Sequence, residues 1–196
     1  MFSCNEVVRI VSRTRCILQK NNILREDMYY MDKDLFMRLK NVSLIVSDFD
    51  GVMTDNRVLV DEMGQEAVFV SRADGQAVHM LRSVGIDLVI MSSETNGVVA
   101  RRAEKLKVKY IQSVSDKRKC LEEYCCKENI SLCNVAYVGN DVNDYTAMCL
   151  AGIRIVPADA YDAVKKIADY ITIARGGYGV IREIAEVMQS IKREKR

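Results

Sequence analysis

The apolar run Leu44-Ile45-Val46 ends abruptly in Ser47-Asp48-Phe49-Asp50-Gly51. Side chains two apart on a strand leave the same face, so Asp48 and Asp50 project together from a strand tip. Carboxylates that close repel, and each raises the other's pKa. A cation between them removes the conflict, and oxygen donors around an open site suit a hard dication such as magnesium. Gly51 lets the backbone turn away and approach a ligand closely. The same residues also fit a strand followed by an Asx-type turn, so the choice rests on what the rest of the chain brings to the place.

The remaining elements bring a good deal. Short β-rich runs at 57–60 and 67–70 flank the turn residues Asp61-Glu62-Met63-Gly64, which predicts a hairpin. A helix comes next, capped by Ser71 or Asp74 and stopped at Gly85. It carries the lone histidine, His79, read as structural or surface. Strands are predicted at 86–91, 108–111, 135–138, 153–156 and 170–173. Helices are predicted at 95–106, 117–127, 145–150, 162–168 and 181–192, the second capped by Ser115 or Asp116. Such alternation implies an α/β fold, a parallel sheet with helices on both faces. Ligands in these sheets sit beyond the carboxyl ends of the strands. Asp48 and Asp50, Ser92, and the cluster Asn140, Asp141 and Asp144 all follow strand ends. Lys117 starts a helix, where the helix macrodipole disfavours a cation, which points to a role other than helix stability.

Composition narrows the class. A chain of 196 residues with net charge +2 builds one well-buried domain and has no bulk basic surface for nucleic acid. No apolar run is long enough for a membrane span. Seven cysteines without a secretory signal predict a reducing, cytoplasmic setting. Cys120, Cys125, Cys126 and Cys133 surround one predicted helix, but no CxxC pair occurs, so packing is favoured over zinc. Residues 1–40 read as a helical extension, with a basic bias that also fits a targeting segment, ahead of a main domain at 41–196.

Asp-x-Asp-Gly-Val-x-Thr-Asp resembles the first motif of the haloacid dehalogenase (HAD) superfamily of phosphotransferases. The resemblance implies a Rossmann-like sheet, magnesium, and an aspartyl-phosphate formed on Asp48, with Asp50 as general acid and base. Ser92 matches the phosphate-binding hydroxyl of the second motif and Lys117 the lysine of the third. Gly139 to Asp144 matches the acidic fourth motif, so the implied metal set is Asp48, Asp50, Asn140 and Asp141. Asn140 departs from the aspartate usual there and coordinates without charge. Only a hairpin and one helix fit between Asp50 and Ser92, and one helix and one strand between Ser92 and Lys117. The chain is therefore similar to the capless branch, whose members form tetramers that use the hairpin and cover each other's open sites.

Within that branch residues 42–186 resemble the phosphatases of 3-deoxy-ulosonic acid phosphates. The ending Gly176-Gly177-Tyr178-Gly179-Val180-Ile181-Arg182-Glu183 carries their shared pattern. Ser93-Glu94 replaces the Gly-Arg usual in enzymes for octulosonate 8-phosphate. Glu94, Arg102 and Lys105 match sugar-acid contacts of the nonulosonate (sialic-acid type) 9-phosphate enzymes, and Arg72 is a further candidate. The expectation is a phosphatase for a nonulosonate 9-phosphate, with the octulosonate enzyme as the alternative. A second alternative is a non-catalytic tetramerisation domain like that fused to acylneuraminate cytidylyltransferases.

Overall fold

The computed structural model describes residues 32–194; most of the helical extension expected at 1–40, and the targeting alternative for it, lie outside them. The chain divides into the units Met1–Phe36 and Met37–Arg196. The second unit holds the sheet and begins within α1 (Lys33–Asn41). Arg38 of α1 pairs with Asp169 and donates to the Gly152 carbonyl.

Six parallel strands form the sheet, in the order β5-β4-β1-β6-β7-β8. β1 (Leu44–Ser47), β4 (Asp87–Met91), β6 (Val135–Val138) and β7 (Ile153–Val156) are almost wholly buried. That burial explains their unbroken apolar sequences. β5 (Lys109–Ile111) and β8 (Tyr170–Ile171) are short edges. The helices are α2 (Ala73–Arg82), α3 (Val98–Leu106), α4 (Lys117–Lys127), α5 (Val142–Met148), α6 (Asp162–Lys165) and α7 (Val180–Arg193). One core includes Leu44, Val46, Val89, Leu121, Tyr137 and Met148. α7 buries Val180, Ile181, Ile184, Ala185, Met188 and Ile191, a stripe at helical spacing.

Register sets the site. Ser47 at the end of β1 pairs with Ile90 of β4 and Val138 of β6. The three central strands therefore end level, and the residues just past them must meet above the sheet. Gly85 turns the chain in the left-handed region after α2 (φ +74°), as its type predicts.

The hairpin is smaller than expected. β2 (Leu59–Val60) and β3 (Glu66–Ala67) pair for two residues each, and Thr54 and Val70 bridge at its base. Its strand residues are exposed on both faces, and a lone two-stranded ribbon without a buried face pairs weakly. α5 begins earlier than the predicted 145 because Asp141 caps it; α6 and β8 end sooner than predicted. His79 is exposed on α2. Among the described residues the cysteines are free, and no group of His, Cys, Asp or Glu side chains forms a ready metal cluster. No described helix is long and apolar enough to cross a membrane.

Candidate active site

Asp48 comes directly after β1 and is 5% exposed. Its Oδ1 accepts the Phe49 N–H at 2.7 Å, and its Oδ2 lies 2.8 Å from Lys117 Nζ. Lys117 is the first residue of α4, whose cap Asp116 accepts the Lys119 N–H at 3.0 Å. The ammonium also donates to Asp144 Oδ1 at 2.7 Å. Both lysine–carboxylate pairs are buried. Burial pushes the Asp48 carboxyl up to about 8, the Asp144 charge adds to this, and Lys117 and the Phe49 N–H oppose it. For Lys117, burial acts to lower the pKa, but Asp48 and Asp144 outweigh it and the net shift is upward. The lysine is thus held as a cation between two carboxylates.

Asp50 is half-buried on the other side of the turn. Thr54 Oγ1 donates to its Oδ1 at 3.1 Å. The same hydroxyl oxygen accepts the Gly51 and Asn56 N–H groups, both at 3.2 Å. Burial raises the Asp50 pKa, Thr54 opposes, and the Glu94 charge adds a further rise. A carboxyl raised in this way suits proton transfer to a leaving alkoxide.

The fourth cluster closes on the first. Gly51 sits at φ +77°, and a Cβ there would lie 1.9 Å from Asn140 Nδ2. The missing side chain is the space in which the Asn140 amide rests beside the Asp-x-Asp turn. Gly176 packs in the same manner on the Gly51 carbonyl, and the Gly177 N–H donates to the Val52 carbonyl at 3.0 Å. Asp141, the other expected metal ligand of this cluster, starts the following helix. Its carboxylate accepts the Val142 N–H at 2.7 Å and caps α5 in a reciprocal capping box with Asp144. Asp48 and Asp50 lie in the turn and the Asn140 amide rests beside it, so these three bring oxygen donors to one place. They carry no sulfur or imidazole, and such a set fits magnesium.

Ser92 is buried at the end of β4, and its Oγ accepts the Glu94 N–H at 3.1 Å. Glu94 is exposed and acts electrostatically on Asp50. Lys105 and Arg72 are exposed. Arg102 is turned inward: it donates to the Ser71 carbonyl at 2.6 Å, and its buried Nε has no hydrogen-bond partner. Asp74, fully buried, is the charge that faces it. In this conformation Arg102 bridges α3 to the start of α2 and is not free at the mouth of the site.

Sequence reasoning left three residues without roles here. Asp144 is fully buried and receives Lys117, the Tyr137 hydroxyl at 3.0 Å, and the Asn140 and Asp141 N–H groups. Thr54 organises Asp50, and Tyr137 supports Asp144. The final aspartate of Gly-Asn-Asp-x-x-Asp was a signal for the first. Thr54 stands in the Asp-x-Asp-Gly-Val-x-Thr-Asp motif without an assigned role, and nothing local marked Tyr137.

A family model for haloacid dehalogenase-like hydrolases matches residues 100–184. The crystal structure of a protein assigned to the HAD family of hydrolases from Streptomyces avermitilis is similar at 42% identity and a TM-score of 0.74, over 76% of this chain and 86% of that one. A structure of 3-deoxy-D-manno-octulosonate 8-phosphate phosphatase from Moraxella catarrhalis, with magnesium ion, phosphate ion and KDO, is 30% identical with a TM-score of 0.77, covering 81% and 91%. The curated 3-deoxy-D-manno-octulosonate 8-phosphate phosphatase KdsC of Yersinia pestis is 29% identical over 156 residues, 79% of this chain and 83% of that protein.

Proposed function

Given that the chain belongs to the haloacid dehalogenase-like hydrolases and is a phosphoric monoester hydrolase, we propose that its substrate is a sugar-acid phosphate of the nonulosonate 9-phosphate type. The observation that carries this reading is Glu94. It lies two residues past the phosphate-site serine, its N–H donates to Ser92 Oγ, its carboxylate is exposed, and its charge reaches Asp50. A carboxylate beside the leaving-group acid accepts hydrogen bonds from sugar hydroxyls. Lys105 and Arg72 supply cations for the sugar carboxylate, and Arg102 joins them on leaving the Ser71 carbonyl.

Asp48 attacks phosphorus, and its carboxylate oxygen becomes bonded to the phosphoryl group as the ester oxygen departs. Asp50 gives that oxygen its proton. In the second half Asp50 takes a proton from water, which attacks the aspartyl-phosphate and restores Asp48. Lys117 offsets the charge of the nucleophile and of the phosphoryl group as the bond forms, and Ser92 holds a phosphate oxygen. Asp48, Asp50 and Asn140 would hold magnesium, which when bound offsets the burial of Asp48 and neutralises charge on the phosphoryl oxygens. A site so open needs a large substrate or a neighbour. The exposed Leu59, Met63 and Phe69 of the hairpin region support a homotetramer that closes it. The free thiols favour the cytoplasm.

The octulosonate 8-phosphate reading keeps the same chemistry on a shorter acid, and the similarity to the Yersinia and Moraxella enzymes favours it. The non-catalytic alternative lacks such support. Purified protein assayed with magnesium on both acids is expected to show a kcat/KM at least ~10-fold higher for the nine-carbon phosphate; the reverse order assigns it to octulosonate. Asp48→Asn should remove turnover on either, by ~1000-fold or more. Turnover that survives this change would sink the covalent mechanism.

A further inference from the structure

Tyr137 lies in β6, in register with Val46 of β1, and is wholly buried. A phenylalanine would fill that core position equally well and bring no polar atom into it. The hydroxyl therefore needs a reason. It donates to Asp144 Oδ1 at 3.0 Å, the same oxygen that Lys117 Nζ approaches at 2.7 Å. The other oxygen, Oδ2, takes the Asn140 and Asp141 N–H groups at 3.0 and 3.4 Å. One carboxylate is thus gripped by four donors from three parts of the fold, and a carboxylate has about four acceptor sites.

We propose that Tyr137 is a positioning residue for phosphoryl transfer: its hydroxyl fixes the Asp144 carboxylate, which in turn fixes Lys117 against Asp48. Lysine is a point charge on a flexible four-carbon stem, so its location is set by its acceptors. Of these, Asp48 must change partners as phosphate is bonded to it and released. Asp144 is the constant one, and Tyr137 ties it to an inner, buried strand of the sheet. Burial first, and then the Asp144 charge, hold the phenol well above its usual pKa, which keeps it a donor.

The inference rests on aspartyl-phosphate formation at Asp48 but not on which sugar acid is the natural substrate. Lys117 acts on the nucleophile, so the nature of the leaving group is immaterial. The test is Tyr137→Phe on p-nitrophenyl phosphate and on the preferred sugar-acid phosphate, with magnesium. The expected result is a fall in kcat of ~5-fold, the size of one modest hydrogen bond. KM is expected unchanged, and the factor equal on both substrates. A purely structural hydroxyl would move the unfolding midpoint and leave kcat alone; wild-type kcat, or a change confined to KM, overturns the proposal. As a second variant, Asp144→Asn is expected to slow turnover more. Combined with Tyr137→Phe it should lose no more than it does alone, whereas multiplied losses overturn the coupling. A protein that cleaves p-nitrophenyl phosphate but neither sugar-acid phosphate refutes the substrate reading and leaves this one to be decided by the variants.

Discussion

At Gly51 one hydrogen atom in place of a methyl group lets two distant motifs touch. Its φ of +77° and the 1.9 Å approach of a built Cβ to Asn140 Nδ2 make an alanine there doubly unfavourable. Gly51→Ala should displace the Asn140 amide from the turn. The expected outcome is a ~10-fold higher magnesium concentration for half-maximal activity with a modest loss of stability, read from a magnesium titration of phosphatase rate and from thermal unfolding. Asn140 itself shows how little a residue's type reveals about its task. Asp141 beside it, also expected as a metal ligand, caps a helix. Its neighbour three positions on, Asp144, anchors the lysine. Both are acids in one short motif, and only the helix that starts between them separates their duties.

At the scale of elements, Arg38 of α1 reaches the β7–β8 edge, where it meets the Asp169 carboxylate and the Gly152 carbonyl. Asp169 pairs with Arg38 and, through both oxygens, with Arg154. Burial alone would raise its pKa, but the hydrogen bonds from Arg154 and Arg38 hold it below the usual carboxylate value of 3.8. A depressed folded pKa means that this contribution is complete above the unfolded value and is lost as pH falls through the folded one. Asp169→Asn is expected to lower stability by about 1 kcal/mol at neutral pH. The gap from wild type should close below about pH 4 in denaturant titrations. The hairpin teaches the opposite lesson. Its turn was legible because Asp61 accepts the Met63 and Gln65 N–H groups, an Asx pattern readable from residue type. Its strand lengths were not, because nothing in the described chain covers them.

For the molecule as a whole, the buried Asp74 joins three helices: it lies in α2, accepts the Arg182 N–H at the start of α7, and faces Arg102 of α3. Burial raises its pKa to about 6, with the Arg182 N–H and Arg102 opposing. Here the folded state binds the proton more tightly, so stability falls as pH rises from about 4 to about 6. Asp74→Asn should remove that slope, worth up to roughly 3 kcal/mol across the window, in unfolding free energies measured at several pH values. An unchanged slope would place the titration elsewhere. The order of strands and helices and the strand tips that carry polar residues came from the sequence, while the closure of Lys117 onto Asp48 came from the tertiary structure. Apolar periodicity and turn chemistry are local, and parallel α/β connections leave few ways to assemble such pieces. The inward turn of Arg102, the division of labour between Asp141 and Asp144, and the hydroxyls of Thr54 and Tyr137 were decided by packing. Each depends on which atoms from remote parts of the chain compete for the same donor or acceptor once water is excluded.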